Sequence, residues 1–575
     1  MSTASDTAKC IPASSIQRDK FTREISLLAL RIPVSKCSVY LKEFNAYSFN
    51  RPKMKRIFDI PGNTEEKIFL LHEDITDFAT EVPEPLVKLN SEIGGVIQPH
   101  SVIVGYDHLG VHEVLKTLLT APLEEGYFNP APTELLAENR KNYPNVRSNN
   151  SDNISSAGTD MDIPSSYEQI GHIAHLNLRD EAFIYKYVVG QVILDKNKQA
   201  IKTVINKTNS ITNEFRVFPS ELIGGQAVYD ARINQGGIKF EFDFTTVYWN
   251  SRLQTEHERM VGLVCSFNTE YNVESAHEHP VNKRIKLNSE ESVSSTATAT
   301  ATAAAPAAGT PPKLIVADMM CGVGPFAIPL ALQESSVIST VLANDLNPSS
   351  YRSLLRNSGI NKCHLDIDTD ADLRRNKSRK LCTLGCYNMD GRAFIRRLDG
   401  CGEPKEPVVP YTDVLMNLPA SATDFLDVFI GRNVGPGAVE SGPIVLPRIH
   451  VYAFSSTTDP ITDVINRVCR TMQMGVPDTV ALGANGANAD ISGTITPLGC
   501  LVIHEADRKK QLMRDCMLHL INDTVTDAAM DVKDATPRER AYCLAHVVRD
   551  VAPKKVMICL SFILPFSVVK STPTM

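Results

Sequence analysis

Four short apolar runs in the C-terminal half of the chain, Lys313 to Ala317, Val337 to Ala343, Asp413 to Met416 and His450 to Phe454, alternate with stretches of helical character that begin at Pro325 and Pro348. This alternation leaves few folds open, because a parallel strand must be followed by a crossover that carries the chain back over the sheet. It predicts a parallel, doubly wound α/β sheet. In such sheets ligands bind beyond the carboxyl ends of the strands.

The strand ends carry polar chemistry. The first runs into Asp318-Met319-Met320-Cys321-Gly322-Val323-Gly324-Pro325-Phe326, where Gly322 and Gly324 permit a sharp turn and close approach of the backbone to a ligand at a helix start. A Gly-x-Gly turn alone is equally an ordinary tight turn. The second ends in Ala343-Asn344-Asp345-Leu346-Asn347-Pro348, which sets Asp345 where a carboxylate accepts both hydroxyls of a ribose. Asp390, in Tyr387-Asn388-Met389-Asp390-Gly391, suits an adenine edge. A dinucleotide is compatible with the loop, with Ala327 as a tolerated third position, but Asp318 faces a pyrophosphate with like charge. S-adenosylmethionine, with a ribose, an adenine and a cationic sulfonium but no phosphate, fits better. The fourth motif, Met416-Asn417-Leu418-Pro419-Ala420, resembles the Asn/Asp-Pro-Pro signature of methyltransferases acting on base nitrogens, while a capped turn is the plainer reading.

Length and composition set the frame. At 575 residues the chain has room for about three to four domains. With 43% hydrophobic residues and a mean hydropathy of -0.12 it excludes a membrane bundle. The apolar stretch Val556 to Val569 is interrupted by Cys559, Ser561, Pro565 and Ser567, is too short to span a bilayer, and reads as a buried strand. A net charge of -7, from 59 basic and 66 acidic residues, means that any nucleic-acid contact must come from local patches. The candidate patches are Arg51, Lys53, Lys55 and Arg56, and Arg374, Arg375, Lys377, Arg379 and Lys380, each equally readable as solvated surface. Thirteen scattered cysteines point to a reducing compartment. The first twenty residues have no apolar core, which excludes a secretory signal; Lys9, Arg18 and Lys20 suit a mitochondrial presequence, whereas Asp6 and Asp19 do not.

Two segments, Asn142 to Ser166 and Ser289 to Pro312, are too poor in large apolar residues to offset their ordering entropy. The expected organisation is an N-terminal region over 1–160, a small α+β middle domain over 161–253, and a doubly wound domain over 254–575 with a low-complexity insertion at about 270–312. Within the middle domain Tyr185 to Leu194, Ala200 to Lys207 and Ile238 to Val247 read as strands. Cys363-His364 with Cys382 and Cys386 matches no common zinc spacing, so no metal is expected.

From Tyr167 to Phe429 the chain resembles the archaeal and eukaryotic class of tRNA guanine-N1 methyltransferases that modify guanosine 37, immediately 3′ of the anticodon. The resemblance rests on Glu168 to Arg179, on Asn213-Glu214-Phe215-Arg216, on Val247-Tyr248-Trp249-Asn250-Ser251-Arg252-Leu253 with Thr255-Glu256-His257-Glu258-Arg259, and on the four strand-end motifs. Weaker similarity covers Ala46 to Lys55, Tyr106 to Thr120 and Val548 to Lys554, and insertions stand near 430–447 and 473–498. Departures are Met320-Cys321 in place of the usual Phe-Ala, and Leu222-Ile223-Gly224-Gly225-Gln226 in place of Leu-Leu-Ala-Gly-Glu.

The resemblance implies a class I (Rossmann-like) S-adenosylmethionine-dependent methyltransferase domain, an N-terminal RNA-binding domain, and a monomer that acts on tRNA without metal or membrane. It implies locations in cytoplasm, nucleus and mitochondrial matrix. It assigns Glu256 as the base that takes the N1 proton, Arg216 as the donor to O6, Asn417 as the group that orients the base edge and contacts the cofactor, and Tyr248 as the support of a flipped nucleotide. His257, Asp345, Leu346, Asp390 and Gly391, with Asp318, Gly322 and Gly324 of the loop, would contact the cofactor. The chemistry agrees in residue type: N1 of guanine carries a proton at neutral pH, and removing it moves negative charge onto O6. Taken alone, Glu256 reads as part of a solvated helix face, Arg216 as a salt-bridge residue, Tyr248 as core, and Trp249 as structural. A methyltransferase acting on rRNA or DNA matches Asn417 but leaves Arg216 unexplained. A catalytically silent tRNA-binding protein would have no use for Glu256, Arg216 and Asn417 together.

Overall fold

The computed structural model describes residues 10–121, 125–142, 162–208, 214–277, 313–365, 382–401, 407–432, 446–474, 480–481, 493–495, 501–503, 543–565 and 568–569. The chain divides into two compact units, Met1–Asn213 with Val217–Arg232, and Glu214–Arg216 with Ile233–Met575.

The first unit opens with an antiparallel sheet ordered β2-β3-β1-β4, from β1 (Arg23–Pro33), β2 (Ile57–Ile60), β3 (Asn63–Leu70) and β4 (Val96–Val104). Alternation along β1 serves two cores: Leu27 and Ala29 face one, Leu30 and Ile32 the other. A second sheet, β5 (Glu168–Ile170), β6 (Ile173–Leu176), β7 (Thr203–Lys207) and β8 (Ser220–Gly225), pairs β6 and β7 in parallel across the helix α1 (Lys186–Lys196). Leu27, Val102 and Leu115 share one hydrophobic core with Ala174, Val189, Val204 and Ile223. The expected boundary near 160 therefore does not separate two cores: the N-terminal and middle regions bury their apolar faces against each other. Ile11 and Ile16 also lie in this core, and Arg18, read above as a targeting charge, pairs with Asp195 at 2.7 Å.

The run from Tyr185 to Leu194 is a helix, not the expected strand. It is apolar on nearly every side, with Val188, Val189, Val192 and Ile193 buried, so it shows no helical stripe to tell it from a buried strand. Its only basic residue to be buried, Lys186, pairs with Glu221 at 2.7 Å.

The second unit begins inside the hairpin of β9 (Asp230–Gln235) and β10 (Ile238–Asp243). The amides of Lys239 and Glu241 donate to Oδ1 of Asn361 and Asn357 at 3.0 and 2.7 Å, on and just after the helix that starts at Pro348. This is why 233–253 groups with the C-terminal region and not with the middle domain, as the expected boundary at 253 had it. There follow α2 (Gln254–His277), β11 (Leu314–Asp318), α3 (Ala327–Ala331), β12 (Ile338–Asn344), α4 (Pro348–Ile360), β13 (His364–Leu365), β14 (Thr383–Tyr387), α5 (Gly391–Leu398), β15 (Asp413–Met416), β16 (Arg448–Ser455) and α6 (Pro460–Thr471). The short strands β17 (Val480–Ala481), β18 (Gly493–Ile495) and β19 (Leu501–Ile503) form a separate antiparallel sheet, and β20 (Cys543–Ala552) and β21 (Lys555–Ile563) close the unit.

The main sheet has the order β13-β14-β12-β11-β15-β16-β21-β20. All neighbours from β13 to β16 are parallel, and β21 runs antiparallel to both β16 and β20. The chain works outward from β11 to one side and then returns to β15 on the other, so the switch point of the sheet lies at the carboxyl ends of β11 and β15. The doubly wound expectation and the buried strand within Val556 to Val569 are both seen here. Among the described residues no helix is long and apolar enough to cross a membrane.

Candidate active site

Every candidate catalytic and cofactor residue read from the sequence falls in the second unit. At the switch point Gly322 and Gly324 sit in the left-handed region, φ +55° and +98°, and a Cβ on Gly324 would lie 2.8 Å from side-chain atoms of Ile328 and Leu354. That conformation and that packing need glycine. One buried side chain, Asn344, clamps the strand ends. Its Nδ2 donates to the carbonyls of Met319 and Met389 at 3.1 and 3.0 Å, and its Oδ1 accepts from the Met389 amide at 3.1 Å. It thereby holds the segments of Asp318, Asp345 and Asp390 in register. The sequence reading passed over Asn344; the signal was a strand-end amide beside the functional carboxylate.

Asp345 accepts from the Gly322 amide through Oδ2 at 2.8 Å and from the Asn347 amide through Oδ1 at 2.9 Å. It therefore braces the glycine turn, and the Ser350 hydroxyl is a further partner of the carboxylate. Burial raises its proton affinity against those bonds. Asp318 is fully buried, and among the described residues its carboxylate finds no well-formed hydrogen bond, only a weak approach of the Met320 amide. Burial, then the charge of Asp345, push it up to about 8, with a smaller opposite pull from the Met320 amide. Asp390 caps α5 by accepting from the Arg392 and Ala393 amides at 2.9 and 3.1 Å. A Cβ on Gly391 would lie 2.8 Å from Cε of Met319, and Leu346 is 44% exposed. His257 is buried, its ring set edge-on to Phe326 at 4.7 Å and its Nδ1 within 2.8 Å of Gln235 Nε2; burial draws its pKa down to about 3, so it is neutral. The chain thus sets open space at Gly322 beside a buried acid, Asp318, with a second carboxylate, Asp345, alongside, an arrangement chemically suited to a cation next to a diol.

A second cluster forms at the end of β15. Arg216 adopts φ +59° and donates from Nη2 to Ser421 Oγ at 3.2 Å, and the Ser421 amide returns to the Leu418 carbonyl. The Oδ1 of Asn417 in the same turn is buried with no hydrogen-bond partner. Arg216 and Asn417, 201 positions apart by their numbers, thus meet at one turn. Tyr248 is 37% exposed, with its hydroxyl 3.4 Å from Asn250 Nδ2, and is not core; Trp249 is buried against Phe240 and Phe242, with ring centroids at 5.4 and 5.0 Å.

Glu256 is not on a solvated face. It is 5% exposed, paired in both oxygens with Arg259 at 2.7 Å, and its Oε1 also accepts from the Tyr452 hydroxyl at 2.7 Å. His546 Nε2 stands 3.5 Å from Oε2. Among the described residues no hydrogen bond joins Glu256 to Arg216 or Asn417. Oε1 is saturated by Arg259 and Tyr452, while Oε2 has one short bond, from Arg259, and the longer approach of His546.

Of the basic patches, Arg51 is bound between Glu73 at 2.5 Å and Glu113 at 2.9 Å, and Lys53 pairs with Asp107 at 3.2 Å, so this run is largely committed to its own unit. The run from Arg374 to Lys380 lies outside the described residues.

Comparison with known proteins adds the following. A family model described as "TYW2 N-terminal domain" matches residues 152–228. The tRNA (guanine(37)-N(1))-methyltransferase of Phytophthora infestans (strain T30-4) is 30% identical over 565 residues, 97% of this chain and 94% of that one. That of Danio rerio is 28% identical over 576 residues, 97% and 83% of the two chains. Among solved structures, wild-type Trm5b from Pyrococcus abyssi aligns with 94% of this chain and 100% of its own at 17% identity and a TM-score of 0.44.

Proposed function

The chain belongs to the tRNA (guanine(37)-N(1))-methyltransferase family, and from that premise we propose that it transfers a methyl group from S-adenosylmethionine to N1 of guanosine 37 in tRNA. The observation that carries the cofactor is Asp318. Buried this deeply and met only weakly by the Met320 amide, its ionised form is unfavourable unless something cationic completes it, and a sulfonium beside a ribose answers to Asp318 and Asp345 together. Asn344 and Asp345 hold the turn open for such a ligand, and Asp390 and Leu346 border it. When bound, this group supplies an electrophilic methyl.

The chain's own residues do the rest. Arg259 and Tyr452 fix the Glu256 carboxylate, so that Oε2 is the atom left to take the N1 proton. Arg216, anchored on Ser421, turns its remaining N–H groups to O6, where charge grows as the proton leaves. The unpartnered Oδ1 of Asn417 accepts from an amino or imino group of the base edge, and Tyr248 offers an exposed ring on which a flipped base stacks. Neutral His257 packs behind the cofactor turn through Phe326.

The test is to incubate the full chain with methyl-labelled S-adenosylmethionine and an unmodified tRNA carrying guanosine 37, then map the label. Label at N1 of guanosine 37, absent when that position is changed to adenosine, is expected. Label on another nucleotide, or none with tRNA, would overturn the reading.

A further inference from the structure

In the reaction proposed above Glu256 ends holding a proton, and a carboxyl so deeply buried needs a route for releasing it. Tyr452 of β16, Cys559 of β21 and His546 of β20 stand opposite one another across three neighbouring strands, Tyr452 in register with Cys559 and Cys559 with His546. Directly opposed residues share a face of the sheet. On this face Glu256 and Arg259 of α2 lie over the row: the Tyr452 hydroxyl donates to Oε1 at 2.7 Å, and His546 Nε2 stands 3.5 Å from Oε2. The members of the row differ as proton acceptors. Tyr452 is fully buried, already gives its hydroxyl proton to Oε1, and is held un-ionised by burial. Cys559 is fully buried, and burial, then the charge of Glu256, push its thiol up to about 12, so it keeps its own proton. Arg259 is already a cation. The short strand β19 near β20 holds only Leu501, Val502 and Ile503 and adds no titratable group. Among the described residues around Glu256, only His546 joins a basic nitrogen to solvent, with its side chain 33% exposed.

We propose that His546 is the proton relay of this site, taking the N1 proton from Glu256 and handing it to solvent. The inference rests on the function proposed above and deepens it. The N1–H bond of guanine breaks toward Glu256 Oε2, and the electron pair left on N1 forms the bond to the methyl carbon as the carbon–sulfur bond breaks, its pair returning to sulfur as a neutral thioether. The proton then turns on Oε2 to His546 Nε2, and the imidazolium releases it to water. Electrostatics sets the direction. A proton kept on Glu256 leaves the Arg259 guanidinium, itself largely buried, beside a neutral carboxyl, whereas a proton on His546 leaves the carboxylate ionised between two cations. The 3.5 Å separation suits the resting state: with the ring proton on Nδ1, Nε2 and Oε2 are both acceptors, and a proton on either makes one a donor and draws the pair to hydrogen-bond length. His546 acts through Glu256 and not on the base itself.

The test compares single-turnover methylation of guanosine 37 by the full chain and by its His546→Gln and His546→Ala variants across pH, with and without added imidazole. Glutamine keeps the size and hydrogen bonding of the side chain but carries no proton, so a purely structural histidine would be replaced without loss. His546→Gln should be slower by roughly tenfold or more near neutral pH. The wild type should lose rate as pH falls through the ordinary histidine range, about 6.5, where the relay is already protonated, and His546→Gln should lack that step. Imidazole should restore much of the rate to His546→Ala, more at about pH 8 than at about pH 6 because only the neutral ring accepts a proton, and should leave the wild type unaffected. Unchanged S-adenosylmethionine affinity verifies the fold of each variant. Wild-type rate and pH profile in His546→Gln, or a loss in His546→Ala that imidazole leaves in place, overturns the relay. A wild-type chain that fails to methylate guanosine 37 overturns the function itself, so the two failures are told apart.

Discussion

At Glu256 one side chain is asked to do two things. Its ion pair with Arg259 holds a guanidinium that is only 19% exposed, and removing one partner of so buried a pair costs on the order of 3 kcal/mol, because the other charge is left unpaired. Its Oε2 is also the proposed base. Glu256→Gln should therefore lower stability and slow single-turnover methylation by roughly 100-fold, with the rate recovering as pH rises and more of the guanine loses its N1 proton unaided. The two roles separate in Glu256→Gln/Arg259→Met, where no charge is stranded: stability should return while the rate stays low. Denaturation and single-turnover assays of the same samples decide it. A double variant that regains the wild-type rate would show that Glu256 serves only to pair Arg259. The sequence alone left Glu256 in a string of helical charges, because Tyr452 and His546, which turn that face into an interior, are supplied by strands far along the chain.

Elements differ in how plainly the sequence announced them. The strand ends of the doubly wound sheet were legible because ligand chemistry forces glycine, carboxylate and amide into fixed places next to apolar runs, as at Asp318 to Gly324 and Ala343 to Pro348. Helix α1 was not, because burial on all sides erases the polar face that gives a helix its period. The residue that fixes its packing is Gly190, where an added Cβ would lie 2.4 Å from the Ile223 carbonyl oxygen on β8. Backbone cannot yield there as a flexible side chain could. Gly190→Ala should push α1 off β8 and destabilise the first unit by about 1 to 3 kcal/mol despite the better helix propensity of alanine. Calorimetry should show the lower transition, with S-adenosylmethionine affinity unchanged since Gly190 and the cofactor turn belong to different units. A variant as stable as the wild type would mean that helix and strand are not held at this distance. Domain limits were the least legible feature: nothing in the composition near 160 or 253 reveals that Leu27 and Val189 share a core, or that Asn357 and Asn361 take up the amides of β10.

For the molecule as a whole, the groups that build the site also set how the methyltransferase unit responds to pH. Trp249, the single tryptophan, is buried in this unit and reports its unfolding. His257 binds protons more weakly folded, at about 3, than unfolded, near 6.5; its contribution is intact above about pH 6.5 and is lost as pH falls toward 3. Buried His450 is shifted in the same direction, and Asp413, held down by Arg448 and His450 against its burial, adds a loss at still lower pH. Asp318 has the opposite sign. Its folded carboxyl keeps a proton up to about pH 8 that the unfolded chain releases near 4, so its contribution is intact below pH 4 and is lost as pH rises to 8, at about 1.4 kcal/mol per pH unit. Between about 4 and 6.5 the slopes of His257 and Asp318 oppose each other, and above 6.5 the decline due to Asp318 is no longer offset by His257. Asp318→Asn keeps the size of the side chain and never ionises, so it should remove the part of that decline due to Asp318, which amounts to roughly 5 kcal/mol between pH 4 and pH 8. Saturating S-adenosylmethionine should flatten the wild-type curve in the same range, because a cation beside Asp318 lowers its folded pKa, and it should leave Asp318→Asn unaffected in slope. Urea denaturation followed by Trp249 fluorescence from pH 5 to 8.5 gives both curves. If wild type and Asp318→Asn run parallel over that range, Asp318 is already ionised without ligand and the cofactor turn is not built around an uncompensated carboxylate.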